Sequence, residues 1–60
     1  MNSNIKSLST YRLYRGFLLL GEYNSISEAK LNAPKEDGVY NLIGDNYRDT
    51  WEILKGVLYI

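Results

Sequence analysis

Asn24-Ser25-Ile26-Ser27-Glu28-Ala29-Lys30-Leu31-Asn32-Ala33-Pro34-Lys35-Glu36-Asp37-Gly38 is the stretch with unambiguous helix grammar. Ser25 and Glu28 stand in capping-box spacing, serine accepting from a first-turn amide while glutamate reaches back to the start. Glu28 also lies where the helix dipole favours a negative charge. Ile26, Ala29 and Ala33 fall at i, i+3 and i+7 and form a narrow stripe of mostly small apolar side chains. Pro34 drives Ala33 out of helical geometry, so the helix is expected over Ser25 to Ala33. Two turns of helix do not persist alone in water. The small stripe predicts close packing on a sheet, which the rest of the chain must supply.

Outward from the helix, strand patterns dominate. Tyr11 to Tyr23 places aromatics and leucines on alternate positions, with Tyr11, Leu13, Phe17 and Leu19 facing one way and Tyr14, Leu18 and Leu20 the other. Apolar character on both faces predicts a central strand or a partner over one face. Arg15-Gly16 lacks the strong Asn-Gly or Asp-Gly hairpin signal, so Gly16 is assigned to a bulge or a close backbone approach. Lys35 to Gly38 reads as a solvated connection, with Gly38 permitting the turn. Val39 to Ile43 is a short strand, Gly44-Asp45-Asn46 a hairpin loop, and Tyr47 to Leu54 a return strand. On that last strand Tyr47, Trp51 and Ile53 share one face; Arg48, Thr50 and Glu52 share the other. Lys55-Gly56 breaks the alternation, and Val57 to Ile60 is either a further strand or a bent continuation. Leu31 lies off the helix stripe, at its margin or in an exposed patch. The predicted fold is α+β: an antiparallel sheet of three to four strands in the order β-α-β-β, with an optional terminal strand and one short helix on one face. Residues 1–9, polar with only Ile5 and Leu8 as anchors, are expected to form an arm ahead of a single domain over 10–60.

Composition narrows the chemistry. Sixty residues sit near the lower limit for a domain that folds without help. There is neither Cys nor His, which removes disulfides, thiolate zinc sites and imidazole catalysis. No apolar run approaches a membrane span and no leader pattern is visible, so a cytoplasmic protein is expected. Net charge is zero, but residues 1–21 hold Lys6, Arg12 and Arg15 with no acid, while residues 22–60 hold seven acids against four cations. Neutralisation of the halves across the sheet is the favoured account of this asymmetry over a basic face.

Each candidate chemistry competes with a plain structural role. Asp49 and Glu52 alternate onto opposite faces of a strand, against a paired-carboxylate catalytic site, and solvated charge is the expected state. Asp45, Asn46 and Asp49 lack the ligand spacing of a calcium loop. The chain is therefore read as non-enzymatic, with no catalytic residue, cofactor or metal. Tyr11-Arg12-Leu13-Tyr14-Arg15-Gly16-Phe17 interleaves arginine with aromatics, which suits phosphate pairing and base stacking. However, the following Leu18, Leu19 and Leu20 depart from the RNA-recognition strand motif, and the pI near 6.1 is low for a dedicated binder.

What remains is protein binding. The chain has 45% hydrophobic residues and eight aromatics (six Tyr, one Phe, one Trp), more than one helix on one sheet easily buries. The expected contact residues are Tyr11, Arg12, Tyr14, Arg15 and Phe17 on the first strand, with Tyr59 at the C-terminal edge. Composition resembles that of short accessory proteins encoded by bacterial viruses, many of which bind and block a host protein. That resemblance implies a small inhibitor or modulator. A homodimer is expected from the open edges, and a small nucleic-acid-binding domain using Arg12, Arg15, Tyr14 and Phe17 is the alternative.

Overall fold

A computed structural model describes residues 10–60; the arm expected over residues 1–9 lies outside them. The described chain forms strands β1 (Tyr11–Arg15) and β2 (Leu18–Tyr23), helix α1 (Ile26–Asn32), then β3 (Gly38–Ile43), β4 (Arg48–Leu54) and β5 (Val57–Tyr59). All pairings are antiparallel, in the spatial order β2-β1-β3-β4-β5. The α+β class and single short helix agree with expectation. The strand count is five rather than three to four, and the element order is β-β-α-β-β-β.

The extra strand arises because Tyr11 to Tyr23 is two strands. Arg15 pairs with Leu18 across Gly16-Phe17, and Gly16 adopts φ +60. A positive φ at the first central position alone is the pattern of a II′ hairpin turn, and glycine enters it without a Cβ penalty. Gly16 is thus the turn, not the bulge. The bulge lies farther along: Leu13 opposes Gly21 and Tyr14 opposes Leu19, which leaves Leu20 as the extra residue. Because the turn sets Leu18 beside Arg15 and Leu19 beside Tyr14, the leucine faces are the reverse of those expected for one continuous strand, and Leu20, expected beside Tyr14, packs against the core with Tyr11 and Tyr23. Phe17, at the turn tip, is fully exposed. The 43–48 hairpin also differs slightly: Ile43 pairs with Arg48, so the loop spans 44–47 and the strand begins one residue later than Tyr47.

The helix follows its sequence grammar. Ser25 Oγ accepts from the Glu28 amide at 3.0 Å, and Glu28 Oε1 accepts from the Asn24 amide at 3.4 Å, one residue upstream of the expected reciprocal donor. Ala33, extended at φ −66 and ψ 136, ends the element ahead of Pro34. Ala29 is fully buried, with Ile26 and Ala33 packed beside it; Leu31 points to solvent. The helix lies over β1 and β2. Leu13, Ala29, Tyr40, Leu42, Trp51 and Ile53 form the core, and Tyr40 stacks on Trp51 at a centroid distance of 5.8 Å.

Candidate interaction surfaces

Register sorts every strand residue onto one of two faces. Arg12, Tyr14, Leu19, Glu22, Val39, Asn41, Ile43, Arg48, Thr50, Glu52, Leu54, Val57 and Tyr59 share the face away from the helix. An antiparallel sheet with one solvated face normally makes that face polar. Here one end of it is polar, while at the other Glu52 is the lone charge, set between Val39 and Tyr59. Arg12 Nε donates to Glu22 Oε2 at 3.0 Å, and Thr50 donates to Asn41 Oδ1 at 2.8 Å. The ion pair with Glu22 raises the Arg12 pKa. At the opposite end Leu19, Val39, Leu54, Val57 and Tyr59 remain between 44% and 53% exposed, with half-buried Tyr14 among them and Phe17 projecting from the adjacent turn.

The contact residues expected from sequence do not form one surface. Arg12, Tyr14 and Tyr59 lie on the open face, and Phe17 juts from its margin. Tyr11 and Arg15 turn to the helix side. Tyr11 is half-buried, edge-on to Tyr47 at 5.9 Å. Arg15 fastens the helix-to-β3 connection. It donates to Glu36 Oε1 at 3.0 Å and to the Asp37 carbonyl, while the Tyr40 hydroxyl donates to the Glu36 carbonyl at 2.7 Å.

Lys35 to Gly38, expected to be merely solvated, is therefore a structural junction. Its centre is Asp37. The Lys55 and Gly56 amides donate to its two carboxylate oxygens at 2.9 and 3.0 Å. Those amides belong to a two-residue turn between Leu54 and Val57, with φ of 53 at Lys55 and 78 at Gly56. Both central residues are left-handed, the I′ pattern, in which both amides lack a strand partner. The bonds from Gly56 and Lys55, aided by the nearby Arg15 charge, hold the Asp37 carboxyl below its ordinary range. Lys55-Gly56 is accordingly a hairpin turn, and β5 is a separate strand. Nothing in the sequence near residue 37 marks this long-range cap.

Asp49 and Glu52 do fall on opposite faces, as alternation requires. Asp49 is not simply solvated, however. Its Oδ2 meets Lys30 Nζ at 2.8 Å and accepts from the Tyr47 hydroxyl at 3.3 Å. The lysine contact lowers the Asp49 pKa and raises that of Lys30, whose ammonium lies 5.8 Å from the Trp51 ring centroid. Because the helix sits over β1 and β2, the helix-side face of β4 and β5 is partly bare. A groove of about 280 Å³ runs there past Pro34, Trp51, Ile53, Gly56, Leu58 and Ile60. Sequence reasoning grouped Leu58 and Ile60 with the edge but could not place this groove, which depends on where the helix stops.

Among the described residues, no three acidic, His or Cys side chains converge as metal ligands, and no helix is long and apolar enough to cross a membrane. No protein-family model matches the chain, nor does any curated protein or solved structure.

Proposed function

We propose that this chain is a non-catalytic protein-binding module that inhibits or modulates a larger cytoplasmic protein, a role suited to a virus-encoded accessory protein. The apolar end of the open sheet face carries the proposal. Phe17, Leu19, Val39, Leu54, Val57 and Tyr59 stay solvent-exposed about Tyr14, on the side of the sheet opposite the core. Exposed apolar side chains gathered in this way, here around the single carboxylate of Glu52 between Val39 and Tyr59, mark interaction sites on small soluble domains. Tyr14, Phe17 and Tyr59 offer aromatic anchors, and Arg12 stands beside them as a polar rim. Tyr11 and Arg15, occupied on the helix side, contribute by holding β1 and the Asp37 junction in place.

The nucleic-acid alternative draws less support. Arg12 is engaged by Glu22 and Arg15 by Glu36, on opposite faces, so the two guanidiniums do not line a common phosphate track.

Affinity capture from host lysate separates the two. A stoichiometric protein should be retained after nuclease and about half-molar salt, because an apolar interface is little screened. It should be lost on Tyr14→Lys or Val39→Lys. Capture of nucleic acid alone, abolished by Arg12→Ala and declining steeply with salt through counterion release, would overturn the protein-binding reading.

A further inference from the structure

β5 is the one strand of the described sheet whose residues are all exposed, and the chemistry of its outer edge names an occupant. In a two-residue I′ hairpin the flanking pair, Leu54 and Val57, turns its amides and carbonyls toward each other. Tyr59, two residues on, does the same toward Glu52. Leu58 between them therefore points its amide and carbonyl outward. Residues 56–60 contain no charge and no proline, the usual devices that blunt an edge. Leu58 and Ile60 are 56% and 96% exposed.

We propose that β5 pairs antiparallel with β5 of a second copy about a two-fold axis at Leu58, joining two five-stranded sheets into one. Two observations favour a second copy over an unrelated strand. No side chain from 56 to 60 is charged, so the segment faces itself without like-charge side chains opposed, and Lys55 falls beyond the last pair. Counting outward from Leu58, Ile60 opposes Gly56 and Tyr59 opposes Val57. A Cβ built at Gly56 meets nothing within 4 Å, so Ile60, the most exposed side chain of residues 56–60, is set against the one position there without a side chain. That position lies on the groove, where Ile60 and Leu58 of the second copy would extend the wall formed by Trp51, Ile53 and Pro34. On the open face Tyr59 meets Val57, an aromatic and β-branched pair favoured across strands. The dimer does not depend on the open-face binding proposal, since Tyr14, Leu19 and Val39 stay uncovered by it.

Sedimentation equilibrium of the full chain tests this. Five residues a side make a small contact, so the range should run from about 10 μM to about 1 mM. The weight-average mass should rise from 6.9 kDa toward twice that value. A constant 6.9 kDa throughout would overturn the dimer. Leu58→Pro removes the outward amide without touching a bond to β4, and proline is tolerated at such an edge position. It should remain monomeric with an unchanged circular dichroism spectrum; association equal to the parent would overturn the edge. Register is tested by thiols, because the chain has no cysteine of its own. Leu58→Cys places two thiols directly opposite, with Cα atoms about 5.5 Å apart, within disulfide reach. Oxidative cross-linking should be at least about tenfold faster than for Val57→Cys, whose copies are offset diagonally. Equal rates would overturn the register, and this pair of variants decides the matter should Leu58→Pro fail to fold.

Discussion

At one margin of the sheet β2 carries a bulge at Leu20, a glutamate on its open face and a helix across its other face. At the opposite margin β5 is three residues long, uncharged, and bare on its helix side. The first margin is defended by the means that keep natural sheets from joining: local twist, charge and cover. The second is held in place from behind, by the Asp37 carboxylate on the Lys55-Gly56 turn, and left open in front. In a 60-residue chain with little core to spare, one margin is built for folding and the other is available for contact.

The sharpest way to break this contrast is to attack the cover. Ala29, on the inner face of α1, is fully buried against the β1 and β2 half of the sheet. Ala29→Glu forces an unpaired carboxylate into that contact, a loss of about 4 kcal/mol. A domain of this size has a total stability of roughly 3–9 kcal/mol. Thermal melts followed by circular dichroism should show the variant largely unfolded. Parent-like melting would mean that the helix is dispensable and the two margins are not differently supported.

The helix was legible because its signals are local: a cap, a stripe and a proline within ten residues. The β4 face pattern was legible for the same reason, since alternation places Trp51 and Ile53 together without reference to other strands. The first hairpin was not. Gly16-Phe17 is a permitted II′ turn without an Asn-Gly or Asp-Gly signal, and uninterrupted leucines from 18 to 20 hide both the face reversal that the turn imposes and the bulge that follows it. The second turn was obscured because Lys55 is an unfavourable left-handed residue whose compensation comes from Asp37, eighteen positions away. Of the expected contact residues, Arg12, Tyr14, Phe17 and Tyr59 lie on or beside the open face, while Tyr11 and Arg15 cannot join them once β1 has one fixed pleat. The groove depends on helix length and docking position, which no local pattern records.

Next in size is the β1–β2 turn. Gly16→Ala places a Cβ at φ +60 and should destabilise the domain by about 1–2 kcal/mol, read as a lower urea midpoint at unchanged slope. An equal loss on truncating Phe17 to Ala would contradict its placement as an exposed tip, for which almost no change is expected.

A smaller and pH-dependent effect should follow from releasing the β5 side. Asp37 and Asp49 both have folded pKa values below the ordinary 3.8. A lowered carboxyl pKa contributes stability that is present above the unfolded value and is lost as pH falls through the folded one. The parent should therefore lose stability from about pH 4 downward. Asp37→Asn should lower the melting temperature at pH 7 and flatten that acid limb, while Asp49→Asn flattens it through the separate Lys30 contact. Unchanged acid sensitivity in both variants would remove these two carboxylates as its source. Lys30 acts with the opposite sign, since its raised pKa is a contribution lost only above its ordinary 10.5.

The least effect, and the only gain, is expected at Lys55. Its φ of 53 is a conformation that lysine adopts at a cost, whereas asparagine before glycine is the preferred I′ pair. Lys55→Asn keeps the backbone amide that Asp37 accepts and removes a side chain with no hydrogen bond or ion pair among the described residues. Stability should rise by about 0.5 kcal/mol, measured as a higher urea midpoint at the same slope. Combined with Asp37→Asn, the substitution should recover part of that variant's loss, because a turn that favours I′ geometry on its own depends less on the distant carboxylate. Strict additivity of the two changes would mean that Asp37 does not act by holding the turn, and the β5 margin would then owe its position to β4 pairing alone.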